Sequence, residues 1–289
     1  MHTSVLLQET IDAIAPKEGG VYVDGTLGMG GHSEEIFKRG RSIVIGIDKD
    51  QEAIAFAKKR LNQYTLKTHE GSFKNMKEYA EIDGYKNVDG IVLDLGVSSF
   101  QLDEAKRGFS FRFDEPLLMT MKAHPTDQDV TALDAVNTLS EEQLADLIYT
   151  YGEETRSRKI AKAIVREREN APIRTTMELV SVIESVVPKT SFRHPATKVF
   201  QALRIYVNDE LSDLRDGIQA GISLLSSGAR FAIITFHSLE DRIVKELFRE
   251  AVAAGLGTLH LKKSVIPTDD EISSNKRSRS ARLRVFQKS

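Results

Sequence analysis

The stretch that decides the fold is Val21-Tyr22-Val23-Asp24-Gly25-Thr26-Leu27-Gly28-Met29-Gly30-Gly31-His32-Ser33. It opens as a short apolar run, ends that run in a carboxylate, and continues into a loop that contains four glycines. Glycine lets a backbone approach a ligand closely and adopt positive φ. A helix is predicted from Ser33 to Lys38, and the N–H groups at a helix start can bind an anionic group. The stretch therefore predicts a strand, a ligand-binding loop and a helix.

Two more apolar runs, at residues 42–48 and 88–94, also end in aspartate, and a helical segment lies between them. Near-continuous apolar strands separated by helices are typical of a parallel sheet that is covered on both faces. The α/β pattern returns near residue 206, with a strand at 229–236. Two late strands, at 258–262 and 282–287, predict a hairpin at the sheet edge.

The segment between these α/β regions has a different character, because strand patterns disappear and helix signals dominate. Capping boxes begin at Ser140 and Thr175. The sequence therefore predicts a Rossmann-like α/β domain formed by residues 1–106 and 206–289. It also predicts an all-helical domain, residues 107–205, that is inserted into the first.

Composition excludes several classes of protein. The 289 residues include no cysteine, which excludes a disulfide scaffold, a thiolate zinc site and a cysteine nucleophile. No apolar run approaches the ~20 residues that cross a bilayer, so we expect a cytoplasmic protein without a membrane partner. The seven histidines lack the spacing of metal ligands, and no metal is predicted.

Basic residues are concentrated in two places although the net charge is only −2. Residues 276–289 contain six basic residues and no acidic one, and a predicted helix at 156–168 contains a second basic cluster. Such clusters can bind phosphates. For the helix, a solvated face is an equally good interpretation, whereas the acid-free tail favours nucleic acid.

Two cofactors suit the glycine loop. A dinucleotide prefers G-x-G-x-x-G, but the nearest match, Gly28 to Ser33, ends in serine. S-adenosylmethionine has no pyrophosphate and needs only a loop that passes under its methionine part. Asp48, at the end of the second strand, can accept hydrogen bonds from ribose hydroxyls in both cofactors. A nucleotide-dependent dehydrogenase therefore stays as a minor alternative.

Two clusters carry candidate chemistry. Asp94 ends the apolar run at 88–94, where a carboxylate can accept hydrogen bonds from a poorly nucleophilic exocyclic amine as its lone pair localises. A turn-capping role for Asp94 is the competing interpretation. His237 and Ser238 suggest a hydrolase pair but lack the G-x-S-x-G elbow. Ser238 is instead predicted to be a helix N-cap.

Long motifs throughout the chain resemble one family, the bacterial ribosomal RNA small-subunit cytosine-N4 methyltransferases (RsmH, formerly MraW). The motifs are His2-Thr3-Ser4-Val5-Leu6-Leu7, Asp24-Gly25-Thr26 with Gly30-Gly31-His32-Ser33, Asp94 to Ser99 with Gln101-Leu102-Asp103, Arg107 to Phe111, Tyr151 to Glu154, His194 to Thr197, Phe200 to Ile205, Val207 to Leu211 and Phe236 to Lys245. They keep the family's order nearly from end to end.

The resemblance implies a methyltransferase domain with S-adenosylmethionine as cofactor, and it implies that the helical insertion at 107–205 recognises RNA. The implied cofactor contacts are Gly30, Gly31, His32, Asp48, Phe73, Asp94 and Gln101. Phe73 would lie against the adenine, and Asp94 would be the catalytic residue between cofactor and substrate. The implied substrate is the N4 amine of a cytidine in the decoding region of small-subunit (16S) ribosomal RNA. A homodimer is left open.

The chain departs from the family's pattern at Phe100, where proline is usual, and at 118–122, where two acids and an arginine are replaced. These departures concern substrate recognition, while the cofactor motifs are intact. They motivate an alternative, a catalytically altered ribosome-assembly factor that keeps the methyltransferase fold.

Overall fold

The computed structural model describes residues 4–98, 101–102, 106–188 and 194–289. Phe100, at which the chain departs from the family's pattern, lies outside the described residues. Within these ranges, no helix combines the length and the apolar character needed to cross a membrane.

The chain forms two compact units. One consists of Met1–Gly96 with Leu211–Ser289 and the other of Val97–Glu210; we call them the sheet unit and the helical unit. The predicted domains, divided at 106/107 and 205/206, differ from these units by ten residues at the first boundary and by five at the second. The RNA-recognition role of the second domain stays a prediction.

The sheet unit is built on a seven-stranded sheet in the order β3-β2-β1-β4-β5-β7-β6. The strands are β1 (Val21–Asp24), β2 (Ile43–Asp48), β3 (Thr65–Glu70), β4 (Val88–Asp94), β5 (Leu225–Thr235), β6 (Gly257–Leu259) and β7 (Arg282–Lys288). The first five strands are parallel. β7 runs antiparallel to β5 and to β6 at the edge. The predicted parallel sheet and the Rossmann-like fold class are therefore confirmed. The two late strands pair antiparallel at the edge as predicted, but they do not form a simple hairpin, because a helix at Asp269–Ser274 lies between them.

Helices cover both faces of this sheet. Those of the sheet unit are α1 (Leu7–Ile14), α2 (Gly31–Arg39), α3 (Gln51–Arg60), α4 (Met76–Ile82), α10 (Glu210–Leu224, of which the first residue belongs to the helical unit), α11 (Ser238–Ala253) and α12 (Asp269–Ser274), with 3₁₀ turns at Phe73–Asn75 and Lys276–Ser280. Alternate residues of one strand enter different cores: Val23 belongs to one apolar cluster and Tyr22 to another. This period of two explains why the central strands are apolar on both faces.

The helical unit has its own apolar core. Its helices are α5 (Ala132–Thr138), α6 (Glu141–Gly152), α7 (Ser157–Arg168), α8 (Thr176–Val186) and α9 (Ala196–Asn208). The predicted capping boxes are present at Ser140 and Thr175. α9 stops because Asp209 adopts φ 51°.

Asn208 connects the end of α9 to the segment that departs from the family's pattern. Its side chain accepts from the backbone N–H of Met121 at 2.8 Å and donates to the carbonyl of Met119 at 2.8 Å. The buried Arg107 donates to the carbonyl of Met121 at 2.8 Å. Residues 119–121 are therefore fixed by buried hydrogen bonds within the helical unit.

The predicted N-cap at Ser238 is wrong. The N-cap of α11 is His237, whose ring accepts from the backbone N–H of Glu240, while the Glu240 carboxylate accepts from the N–H of His237. A neutral imidazole nitrogen is an acceptor like a hydroxyl oxygen, so a histidine can replace the usual serine, and the helix starts one residue earlier than a cap at Ser238 would place it.

Candidate functional site

The glycine loop after β1 is attached to both neighbouring strands. The N–H of Gly25 donates to the carbonyl of Val92 on β4, and the N–H of Leu27 donates to the carbonyl of Ile47 on β2, each at 2.9 Å. These bonds hold the loop across the carboxyl ends of three adjacent strands, where ligands bind in open parallel sheets.

The end of this loop starts α2. Gly30 is the N-cap at φ 79°, and no described side chain caps the helix there. A Cβ at Gly30 would lie 2.7 Å from Cδ1 of Leu61, and one at Gly31 would lie 2.1 Å from Oγ of Ser4. The positive φ of Gly30 favours glycine, and the uncapped first turn directs N–H groups outward, as anion binding requires.

Asp48, at the end of β2, faces the same loop. Its Oδ2 accepts from the N–H of Gly28 at 2.7 Å, and its Oδ1 accepts from the N–H of Asp50 at 2.9 Å. Burial raises the pKa of Asp48 to about 6 against the opposing effect of these two hydrogen bonds. Each carboxylate oxygen keeps a second acceptor site, so Asp48 can still accept from a hydroxyl group.

Asp94 lies at the end of β4 beside the loop. Its backbone N–H donates to Oγ1 of Thr26 at 2.6 Å, and its Oδ2 is 3.8 Å from Nδ1 of the buried His32. Its other oxygen, Oδ1, has no hydrogen-bond partner among the described residues, although the side chain is 25% exposed. Asp94 therefore offers an acceptor that is positioned but unused.

The environment of Asp94 makes its negative charge costly. The pKa of Asp94 is raised to about 6, chiefly by burial and also by the charges of Asp24 and Glu240, although His32 acts in the opposite direction. A carboxyl group with a pKa near neutrality can accept a proton during a reaction and release it afterwards.

Asp24 and Thr26 are site residues whose roles the sequence does not show. Asp24 is buried, and its Oδ2 accepts from Oγ of Ser33 at 2.6 Å. Burial raises the pKa of Asp24 as well. The Asp24-Gly25-Thr26 motif therefore connects β1 to α2 through its aspartate and to Asp94 through its threonine. The hydroxyl two residues after a strand-end acid is the only signal in the sequence.

The other predicted contacts lie in different places. Phe73 begins the 3₁₀ turn after β3 and packs partly buried against the core of the sheet unit. Gln101 belongs to the helical unit, where its Oε1 accepts from the N–H of Ser98 at 3.0 Å. The structure thus brings Gly30, Gly31, His32, Asp48 and Asp94 together around one loop, and the cofactor roles of all seven residues stay predictions.

These groups fit S-adenosylmethionine. An uncapped helix start suits the methionine carboxylate, a strand-end acid with spare acceptor sites suits ribose hydroxyls, and buried carboxylates with raised pKa values suit a neighbouring sulfonium cation. The loop has no pyrophosphate fingerprint. Fold and site together are those of a Rossmann-like methyltransferase.

Comparison with known proteins gives the family. The chain matches the MraW methylase family over residues 1–289, and it belongs to that family. S-adenosylmethionine is accordingly its cofactor.

Curated relatives align along nearly the whole chain. The protein named ribosomal RNA small subunit methyltransferase H in Koribacter versatilis is 48% identical, over 98% of this chain and 93% of that one. Its namesake in Fusobacterium nucleatum is 44% identical, over 99% and 96% respectively. A solved rRNA methylase from Streptococcus thermophilus is 10% identical, with a TM-score of 0.48 over 100% of this chain and 99% of that one. Family membership rests on the sequence matches.

Proposed function

We propose that this protein methylates the N4 amine of a cytidine in the decoding region of small-subunit ribosomal RNA. Its curated relatives carry the name ribosomal RNA small subunit methyltransferase H, which supports small-subunit rRNA as the substrate. The resemblance of the site motifs to the cytosine-N4 family supports the choice of atom.

The observation that carries the proposal is the unused oxygen of Asp94. The lone pair of a cytosine N4 is delocalised into the ring, so the amine attacks only as that lone pair localises. S-adenosylmethionine supplies an electrophilic methyl group. Asp94 Oδ1 accepts a hydrogen bond from the amine, which favours localisation, and the carboxylate then takes the proton that the nitrogen must lose. With the cofactor bound, the carbon–nitrogen bond would form as the methyl carbon–sulfur bond breaks, and S-adenosylhomocysteine would be the leaving group.

We further propose that the helical unit binds the RNA. Exposed basic side chains line α7 at Arg158, Lys159, Lys162 and Arg166. Positions three and four apart share one helix face, so these charges form a row that can follow phosphates. The solvated-face interpretation predicts that their removal leaves RNA binding unchanged.

The non-catalytic alternative is not favoured. The chain belongs to a family of methylases, and Asp94 keeps a free acceptor. Within the altered segment 118–122, the backbone of Met119 and Met121 is held by Asn208 and Arg107, and the segment belongs to the helical unit. They give no reason to expect loss of the methyl-transfer site.

The test is nucleoside analysis of small-subunit rRNA. Cells lacking the gene should lose N4-methylcytidine from that RNA, and a plasmid copy of the wild-type gene should restore it, whereas a copy with Asp94→Asn should not. Purified wild-type protein should transfer one labelled methyl group to small subunits from the deleted strain. An unchanged level of N4-methylcytidine in the deleted strain would reject the proposal.

A further inference from the structure

A buried carboxylate on α10 joins segments that are far apart in sequence. Asp213 is 2% exposed. Its Oδ2 accepts from Oγ of Ser72 at 2.8 Å and lies 2.7 Å from Nζ of Lys49, while its Oδ1 lies 2.7 Å from Nζ of Lys74. One side chain therefore holds three others from two loops at the carboxyl end of the sheet.

These partners are the neighbours of two predicted cofactor contacts. Lys49 follows Asp48, the predicted ribose acceptor, and Ser72 and Lys74 flank Phe73, the predicted adenine contact. The two loops are also joined directly, since the N–H of Gly71 donates to the carbonyl of Asp48 at 2.8 Å. Asp213 thereby fixes the spacing between the loop that bears Asp48 and the turn that bears Phe73.

The same helix supports the Phe73 ring. A Cβ at Gly217, one turn after Asp213, would lie 2.5 Å from Cδ2 of Phe73. From the glycine loop, a Cβ at Gly25 would lie 3.0 Å from Cβ of the same phenylalanine. Any larger residue at Gly217 would displace the ring of Phe73. The position of this ring therefore depends on two residues of α10, the carboxylate of Asp213 and the glycine at 217, which leaves room for the ring.

The groups around Asp213 favour the ionised form of its carboxylate. Burial on its own would raise the pKa of Asp213, but the ammonium groups of Lys49 and Lys74 and the hydroxyl of Ser72 outweigh it, and the pKa is lowered. The carboxylate is therefore ionised throughout the neutral range, and its two cationic partners stay attached.

We propose that Asp213 is a positioning residue for the adenosine half of the cofactor pocket, acting with Gly217 to hold Phe73 at a fixed distance from Asp48. This inference rests on the proposed assignment of Phe73 and Asp48 to cofactor binding. Asp213 itself needs no contact with the cofactor.

The test is isothermal calorimetry with S-adenosylhomocysteine on the full chain. Asp213→Asn should weaken binding roughly tenfold, which corresponds to about 1.4 kcal/mol. In a Phe73→Leu background the same change should weaken binding less than about twofold, because coupled residues are not additive. Gly217→Ala should reproduce the loss without altering any charge, and it tests the same geometry if Asp213→Asn fails to fold.

Asp83→Asn is the matched control. Asp83 is another carboxylate of the sheet unit, and it holds Lys67 at 3.4 Å and His69 at 2.9 Å. Neither ion pair includes Ser72, Phe73 or Lys74. The replacement of Asp83 should leave the affinity for S-adenosylhomocysteine unchanged.

Wild-type affinity in both Asp213→Asn and Gly217→Ala would overturn this inference but not the proposed cofactor site. An equal loss of affinity from Asp213→Asn in the wild-type and Phe73→Leu backgrounds would do the same. Absence of binding by the wild-type protein would overturn the cofactor site and this inference together.

Discussion

Replacement of Asp94 by asparagine separates chemistry from stability. Asparagine keeps the shape of the side chain, but its amide is neutral and does not take up a proton at neutral pH. Since Asp94 is the proposed acceptor of the substrate amine, the variant should transfer methyl groups at least about 100-fold more slowly than wild type, the size of effect seen when one preorganised electrostatic partner is removed.

The same variant should be more stable than wild type at neutral pH, although it is less active. Burial raises the pKa of Asp94 from 3.8 to about 6, so the folded state disfavours the charged form relative to the unfolded chain. At about 1.4 kcal/mol per pKa unit, ionisation of Asp94 costs the folded protein about 2–3 kcal/mol at pH 7.5. The cost is absent below about pH 4 and grows as the pH rises to 6. Asp94→Asn removes it.

Two measurements check this reasoning. Thermal melting without ligands should show Asp94→Asn to be more stable than wild type at pH 7.5 and indistinguishable from it at pH 4. Transfer of a labelled methyl group to small subunits should be lost at pH 7.5, while the glycine loop keeps its fold. A variant that remains within tenfold of wild-type activity, or that melts below wild type at pH 7.5, would refute the assignment of Asp94.

The remaining predictions concern other properties. Wild-type methyl transfer should fall as the pH drops below about 6, because the Asp94 carboxylate, whose pKa is raised to about 6, becomes protonated; a flat pH–rate profile from 5 to 8 would contradict this. Asn208→Ala should destabilise the protein by about 1–3 kcal/mol in urea unfolding, because buried backbone groups lose their partner, and an unchanged midpoint would speak against it. Combined Arg158→Ala and Lys162→Ala should weaken small-subunit binding and lower its salt dependence, whereas Lys58→Ala, at an exposed position of α3, should not; equal effects would favour the solvated-face interpretation.

Much of the site could be predicted because strand ends are visible in the sequence. Apolar runs that stop at Asp24, Asp48 and Asp94 identify the carboxyl ends of strands, and parallel strands must place those ends along one edge. The role of the glycines at 30 and 31 could also be predicted, because a loop that approaches a ligand and starts a helix favours residues without a Cβ. Capping boxes gave two helix starts, but the cap of α11 was missed because histidine is rarely counted among capping residues.

What sequence alone determined, then, is local and periodic: the alternation that makes the strands, the acids that end them and the glycine loop. Only the tertiary structure decided how these parts act on one another. Asp213 lies 141 residues beyond Ser72, so no local pattern could pair them. The same holds for the pKa of Asp94, which depends on how much solvent the folded chain excludes and on which charges, from α2 and α11, packing brings close. Burial and long-range charge arise only when distant segments pack together.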